Sequence, residues 1–290
     1  MTPNVRVLRA RQLPSRFMPD LRDDLFGPGS EIRVIGHRGA AAFAPENTLP
    51  SFQHAIDVEA HGVELDLHCS VDGHLIVIHD PTLSRTTDGT GPVEERTLHE
   101  LQTFDAGYQF TMDGGKTFPF RGQGIRIPTL EEVFEVVGTR PVVTEIKSVT
   151  AGHAMGRWLR NTRNREQILV GGFEREEVEP AGQYARWRCA YQDELRGYVL
   201  FGKIGLGRFL VPSGVNAAMV PEKHGMIRIV SPAFIRRAQA DGIGVFVWTV
   251  NRPQDIRRLL AWGVDGLVTD APGRVHRVLD EFELETKTTE

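Results

Sequence analysis

Short runs of β-branched and other apolar residues recur along the chain, near positions 32–36, 62–67, 142–147, 168–172, 187–191, 215–220, 244–249 and 264–269. Most are followed by a stretch with the period of an amphipathic helix, such as TLPSFQHAIDVEA, SPAFIRRAQADG and PQDIRRLLAWG. Eight such strand-and-helix units predict an α/β protein, a TIM-type (β/α)8 barrel with parallel strands inside and helices outside. Two helix starts carry a mechanism: Thr129 and Glu132 have capping-box spacing, and Ser231 precedes Pro232 as a cap with proline at the first helical position. WRCAY and NAAMV are the weakest strand patterns, and an open doubly wound sheet is the alternative if they fail.

The run LIVIHD, Leu75 to Asp80, lies outside this count. Only Asp72 and Gly73 separate it from the extension of the second strand, which is too short for a parallel return and is a strong two-residue hairpin signal. The pattern predicts a strand that projects past the barrel rim and folds back. With Asp72 and Gly73 as the turn, Val71 pairs with His74 and His79 stands opposite Asp66 on a shared face. Residues 80–127 are rich in turn formers and have little helical period, so they read as an insertion over the site.

In GVELDLHC, alternation puts Glu64, Asp66 and His68 on one strand face, with Leu65 and Leu67 on the other. Neighbouring buried carboxylates are costly without a compensating cation. In PVVTEIKS the same parity aligns Val143, Glu145 and Lys147. Glu64, Asp66 and Glu145 are oxygen donors of the kind that suits one hard divalent cation, Mg²⁺ or Ca²⁺, rather than zinc. Lys147 reads either as an ion-pair partner of Glu145 or as an ammonium aimed at phosphate, and Arg38 has the same two readings. His37 and His79 end strands that converge on the acidic patch, which marks them as acid/base candidates. His54, His61, His74, His99, His153, His224 and His276 read as structural, and His68 as intermediate.

At 290 residues, 40% hydrophobic and 25% charged, the chain has ordinary globular composition and the length of one large domain. We divide it into a tail at 1–30, a barrel domain at 31–280 and a tail at 281–290. A formal charge of -4 gives no footprint for nucleic acid as a partner. No apolar run reaches the about 18 residues of a membrane span, and the N-terminus lacks the apolar core of a signal peptide, so a cytoplasmic protein is expected. Arg6, Arg9, Arg11 and Arg16 leave room for peripheral contact with an anionic membrane. Cys69 and Cys189 read as free thiols, and the oligomeric state is left open.

Taken in order, HRG at 37–39, PENT at 45–48, ELD at 64–66, HD at 79–80, PTLEE at 128–132, EIK at 145–147, WTVN at 248–251 and GVDGLVTD at 263–270 form a specific set. Over residues 32–280 the chain resembles the glycerophosphodiester phosphodiesterase family. That resemblance implies a TIM-type barrel and metal-dependent hydrolysis of glycerophosphodiesters to glycerol 3-phosphate and an alcohol. It matches Glu64, Asp66 and Glu145 to metal ligands and His37 and His79 to the acid/base pair. Arg38 and Lys147 match phosphate-contacting positions, Trp248 a residue lining the substrate site, and Glu46 a supporting acid near the metal.

The small-molecule substrate is thus a glycerophosphodiester or, if Tyr108, Phe110, Phe118 and Phe120 form an apolar wall and not simply the insertion's own small core, which is the favoured reading, a lysophospholipid cleaved by lysophospholipase D activity. A non-catalytic phosphodiester-binding barrel would be signalled by a missing histidine or carboxylate, and none is missing. A Schiff-base lyase using Lys147 is disfavoured, because Glu145 on the same face holds the ammonium charged.

Overall fold

The computed structural model describes residues 26, 28–29, 32–202 and 213–288. The elements are β1 (Arg33–Gly36), α1 (Leu49–Asp57), β2 (Gly62–Cys69), β3 (Leu75–Val77), α2 (Leu98–Leu101), α3 (Leu130–Val137), β4 (Val142–Ile146), α4 (Val149–Asn161), β5 (Ile168–Gly171) and α5 (Arg175–Gly182). They continue as β6 (Trp187–Arg188), α6 (Gln192–Gly202), β7 (Ala217–Pro221), β8 (Lys223–His224), β9 (Ile227–Arg228), α7 (Pro232–Ala240), β10 (Gly244–Trp248), α8 (Pro253–Trp262), β11 (Gly266–Thr269) and α9 (Pro272–Thr288). All eight expected barrel strands are present. They lie in the order β6-β5-β4-β2-β1-β11-β10-β7, each parallel to its neighbour.

The two weakest sequence patterns are the two end strands of that path. They meet through the parallel bridge Cys189↔Ala217, where the Ala190 amide donates to the Ala217 carbonyl and the Asn216 amide to the Arg188 carbonyl, both at 2.9 Å. This contact makes a nearly closed barrel and excludes the open sheet. Closure is loose there because β6 pairs over only two residues.

Alternation sorts the side chains as expected of a barrel. Ile35, Val143, Leu169, Ala217, Phe246 and Val268 point inward and form one core. Leu65, Leu67, Val142 and Val170 point outward under α1, α3, α4 and α5, and a matching outer core lies under α7, α8 and α9. Both expected caps are present: the Thr129 and Glu132 side chains close a capping box, and Ser231 accepts the Phe234 amide. Most of the segment 1–30 lies outside the described residues, but Phe26 is not at the surface. Its ring is fully buried in the inner core, 6.3 Å from Trp187 and 6.2 Å from Phe246. At the other end, α9 continues past residue 280 to Thr288. Among the described residues no helix is long and apolar enough to cross a membrane.

The hairpin is present with a different register. Leu67 pairs with Val77, His68 with Ile76 and Cys69 with Leu75, so Ile78, not His79, is opposite Asp66. Ser70 causes the slip of one residue: its amide donates to the His74 carbonyl and its Oγ accepts the His74 amide, both at 2.9 Å. The loop therefore holds three residues, Val71, Asp72 and Gly73, with Gly73 at φ +91° supplying the left-handed position that such a loop needs. Ile78 enters the small core of the insertion with Ile76, Leu83, Val93 and Leu101. Beyond the ladder the chain bends, and His79 reaches the cavity from there.

Candidate active site

A cavity of about 540 Å³ opens at the carboxyl ends of the barrel strands. That is the end where barrel loops converge and can present side chains to a ligand. His37, Arg38, Glu64, His79, Glu145, Lys147 and Trp248 all line it.

β1 ends at Gly36, and the next residues turn sharply. Arg38 has φ +50° and Gly39 φ +89°. A non-glycine residue in the left-handed region costs on the order of 1 kcal/mol, and the strain has a visible return in contacts. The Arg38 amide donates to Glu64 Oε2 at 3.0 Å, its Nη1 donates to Glu46 Oε1 at 2.7 Å, and its Nε lies 3.1 Å from Asp66 Oδ2. Asn47, also left-handed at φ +57°, donates from Nδ2 to Asp66 Oδ2 at 2.8 Å. Burial alone would raise the Asp66 pKa, but Lys147 and Arg38 hold it below the usual carboxylate range.

The pairing of β2 with β4 sets Asp66 directly beside Glu145. Ligand atoms of Glu64, Asp66 and Glu145 lie within 4.8 Å of one another. Glu64 and Asp66 are buried, and Lys147 is the counter-charge of Asp66 and Glu145: its Nζ is 3.0 Å from Asp66 Oδ1 and donates to Glu145 Oε1. Asp66 Oδ1 is buried yet accepts no well-directed hydrogen bond. Burial, reinforced by Asp66 and Glu145, pushes the Glu64 carboxyl up to about 8. Crowded hard oxygens, one of them orphaned, are compatible with a divalent metal site.

Each histidine is oriented through Nδ1. His37 Nδ1 lies 2.6 Å from Asp270 Oδ1, and Asn251 Nδ2 donates to Asp270 Oδ2 at 2.5 Å. Burial works against charging His37, but the Asp270 hydrogen bond and the Glu64 carboxylate raise its pKa overall. His79 Nδ1 lies 2.6 Å from Asp80 Oδ1. The His79 carbonyl is 3.2 Å from His68 Nε2, and His68 Nδ1 is 3.2 Å from Glu94 of the insertion.

The opposite wall is apolar, built from Phe173 after β5, Leu195 and Val199 of α6, Met219 of β7, Ile229 and Trp248. The Trp248 and Phe173 rings meet edge-on at 6.0 Å. Of the two readings of the insertion aromatics, a small core of their own is the one observed: Tyr108, Phe110, Phe118 and Phe120 do not line the cavity. Phe110 packs on Phe120 at 5.3 Å, and the Arg121 guanidinium lies over Tyr108 and Phe118. A small subdomain needs its own apolar contacts, and these rings supply them.

The family model for the glycerophosphoryl diester phosphodiesterase family matches residues 37–169 and 208–274. The chain belongs to that family. It is accordingly an enzyme, a phosphoric diester hydrolase. A glycerophosphodiester phosphodiesterase of Caldanaerobacter subterraneus subsp. tengcongensis is 32% identical over 246 residues, covering 82% of this chain and 94% of the relative. A human lysophospholipase D is 26% identical over 277 residues, 86% of each chain. An Oleispira antarctica phosphodiesterase, solved in complex with the product sn-glycerol-3-phosphate, superposes with a TM-score of 0.66 at 25% identity, over 86% of this chain and 96% of that one.

His37, Arg38, Glu46, Glu64, Asp66, His79, Glu145, Lys147 and Trp248, the residues expected from sequence, come together at this end of the barrel. Several residues of the site escaped sequence reasoning. Asp270 and Asn251 follow the ends of β11 and β10, and polar residues at strand carboxyl ends were the available signal. His224 lines the cavity despite its structural reading. Asp80, Arg85 and Glu94 sit in turn-rich sequence without a period to place them.

Proposed function

We propose that this enzyme hydrolyses glycerophosphodiesters to glycerol 3-phosphate and an alcohol by metal-dependent catalysis, with His37 and His79 as general acid and base. Convergence carries the reading: two imidazoles, two cationic side chains and the Glu64 and Glu145 carboxylates share one end of a single cavity, with Asp66 buried directly behind the two acids. A phosphodiester is an anion that resists nucleophilic attack. Arg38 and Lys147 offer guanidinium and ammonium groups to its nonbridging oxygens, where negative charge grows in the transition state.

Asp270 and Asp80 occupy the two Nδ1 atoms, leaving each Nε2 to serve the substrate. One imidazole takes the proton of the attacking hydroxyl and the other protonates the departing alkoxide. The orientation of the diester decides which does which. With a glycerol hydroxyl of the substrate as nucleophile, the alcohol leaves first and water opens a cyclic phosphate afterwards. Glu64, Asp66 and Glu145 would hold the cation, with Glu46 supporting them through Arg38. Mg²⁺ or Ca²⁺ fits these hard donors and when bound supplies Lewis-acid neutralisation of a phosphate oxygen.

A second reading, lysophospholipase D activity, is favoured by the apolar wall of Phe173, Leu195, Val199, Met219 and Trp248, which offers an acyl chain a place beside the polar end. Turnover of glycerophosphocholine and lysophosphatidylcholine, each with Mg²⁺, Ca²⁺ or EDTA, separates the two. We expect turnover that EDTA and His37→Ala abolish; preference for the acylated substrate supports the second reading. A folded, cation-loaded protein inactive on both would overturn the substrate assignment.

A further inference from the structure

Arg85 does not line the cavity, yet two carboxylates of the site meet on its guanidinium. Nη1 and Nη2 donate to Glu46 Oε2 and Oε1 at 2.8 and 2.7 Å. Nε and Nη2 donate to Asp80 Oδ2 and Oδ1 at 2.7 and 3.1 Å. Each carboxylate has a second partner inside the site: Glu46 Oε1 accepts Arg38 Nη1, and Asp80 Oδ1 holds His79 Nδ1. The result is a continuous chain of charge-assisted bonds, Arg38–Glu46–Arg85–Asp80–His79.

The two ends of that chain come from different parts of the fold. Arg38 rides on the turn after β1, and His79 on the segment after β3, where ladder pairing has already ended. The His68 ring fixes the His79 backbone carbonyl but does nothing for rotation of the imidazole. Asp80 sets that rotation, and an aspartate 26% exposed keeps one orientation only if something holds its other oxygen. A planar guanidinium can fork onto two carboxylates at once, whereas an ammonium is a point charge on a flexible stem.

We infer that Arg85 is a positioning residue that fixes the His79 imidazole and the Arg38 guanidinium relative to each other across the bound diester. The inference rests on the reading of His79 as an acid/base group. Misplacing a reacting group by about 1 Å costs on the order of 100-fold in rate, and loss of outer-shell partners of active groups typically costs about 10–100-fold.

The test is steady-state kinetics on glycerophosphocholine at saturating cation for Arg85→Ala, Arg85→Lys and His79→Ala, with thermal melts of each. Arg85→Ala should lower kcat about 10–100-fold with KM within about 3-fold of wild type, since Lys147 is untouched and Arg38, its alignment loosened, still stays in the site through Glu46 and Asp66. Arg85 is 44% exposed, so millimolar guanidinium chloride should enter the vacated position and raise kcat of Arg85→Ala several-fold without accelerating the wild type. Arg85→Lys should stay folded and remain impaired. A kcat for Arg85→Ala within about 2-fold of wild type, full activity in Arg85→Lys, or a loss that follows the melting temperature and ignores guanidinium would each overturn the inference. Wild-type turnover in His79→Ala would overturn the mechanism beneath it as well. A dead His79→Ala beside a fully active Arg85→Ala would remove the role of Arg85 alone.

Discussion

With a divalent cation held by the acidic cluster, as proposed, its removal should loosen this protein in a pH-dependent way. Two carboxylates 4.8 Å apart repel by about 3–4 kcal/mol at an effective dielectric of about 20, and three meet at this distance or closer. Lys147 and Arg38 offset part of that repulsion; the rest is visible in Glu64, whose carboxyl is pushed up to about 8 by burial and by its two acidic neighbours. Burial and the acidic neighbours thus favour the protonated form of Glu64 in the metal-free site, and a bound cation would compete with that proton. The folded-state value lies above the ordinary 4.5, so the native state binds more protons than the unfolded chain between these limits. Stability of the metal-free protein then falls as pH rises from about 4.5 to about 8.

A cation at about 100 times its Kd adds about 2.7 kcal/mol, which for a chain of this size is about 5–10 °C in Tm. Calorimetric melts with EDTA, Mg²⁺ or Ca²⁺ should show a larger gain at pH 8 than at pH 6. Titration calorimetry at pH 7 in two buffers of different ionisation enthalpy should register proton release on cation binding, and Glu145→Gln should weaken binding. Melting temperatures that ignore both cations at about 10 mM would refute the assignment of the acidic cluster.

Three further outcomes follow from the geometry. Asp270→Asn keeps the shape but lets an amide face His37 Nδ1, so kcat should fall by at least about 100-fold with little change in KM; unchanged kcat would show that Asp270 does not orient His37. Val199→Asp places a charge on the apolar wall and should depress turnover of lysophosphatidylcholine at least about 10-fold more than that of glycerophosphocholine, while equal losses would rule out an acyl site there. Phe26→Ala empties the floor of the barrel and should cost about 3–5 kcal/mol, lowering Tm by on the order of 10 °C with kcat preserved; a shift under about 2 °C would mean the ring contributes little to the inner core.

Much of the fold was legible because a parallel barrel strand is a short apolar run between turn signals, and eight such runs are present. The hairpin was legible as a hairpin, but its register was not. Asp72 and Gly73 satisfy the two-residue rule locally, whereas the choice made by Ser70, one hydrogen bond earlier, shifts every pair by one. Phe26 escaped because a single aromatic in a segment without periodicity gives no sign that it plugs a core.

The two halves of the cavity differ in the same way. On the side of β1, β2 and β4, charged residues sit where burial would otherwise be costly, so Glu64, Asp66, Glu145 and Lys147 declare a purpose in the sequence. On the side of β5, β7, β10 and α6, the apolar lining beside Trp248 is Phe173, Leu195, Val199 and Met219, residues that a sequence cannot distinguish from ordinary core. On the proposed mechanism, phosphate chemistry lies on the readable half, and the contacts that would discriminate one alcohol or acyl group from another lie mostly on the unreadable one. The apolar half is also free of the charge balance that ties Arg38, Glu46, Arg85 and Asp80 together, so substitutions there can retune substrate choice without disturbing the reacting groups. Specificity in this protein should therefore respond to changes in α6 and the β5 loop at nearly constant rate on the shortest diester, and a panel of such variants assayed on both substrates would expose any coupling between the halves.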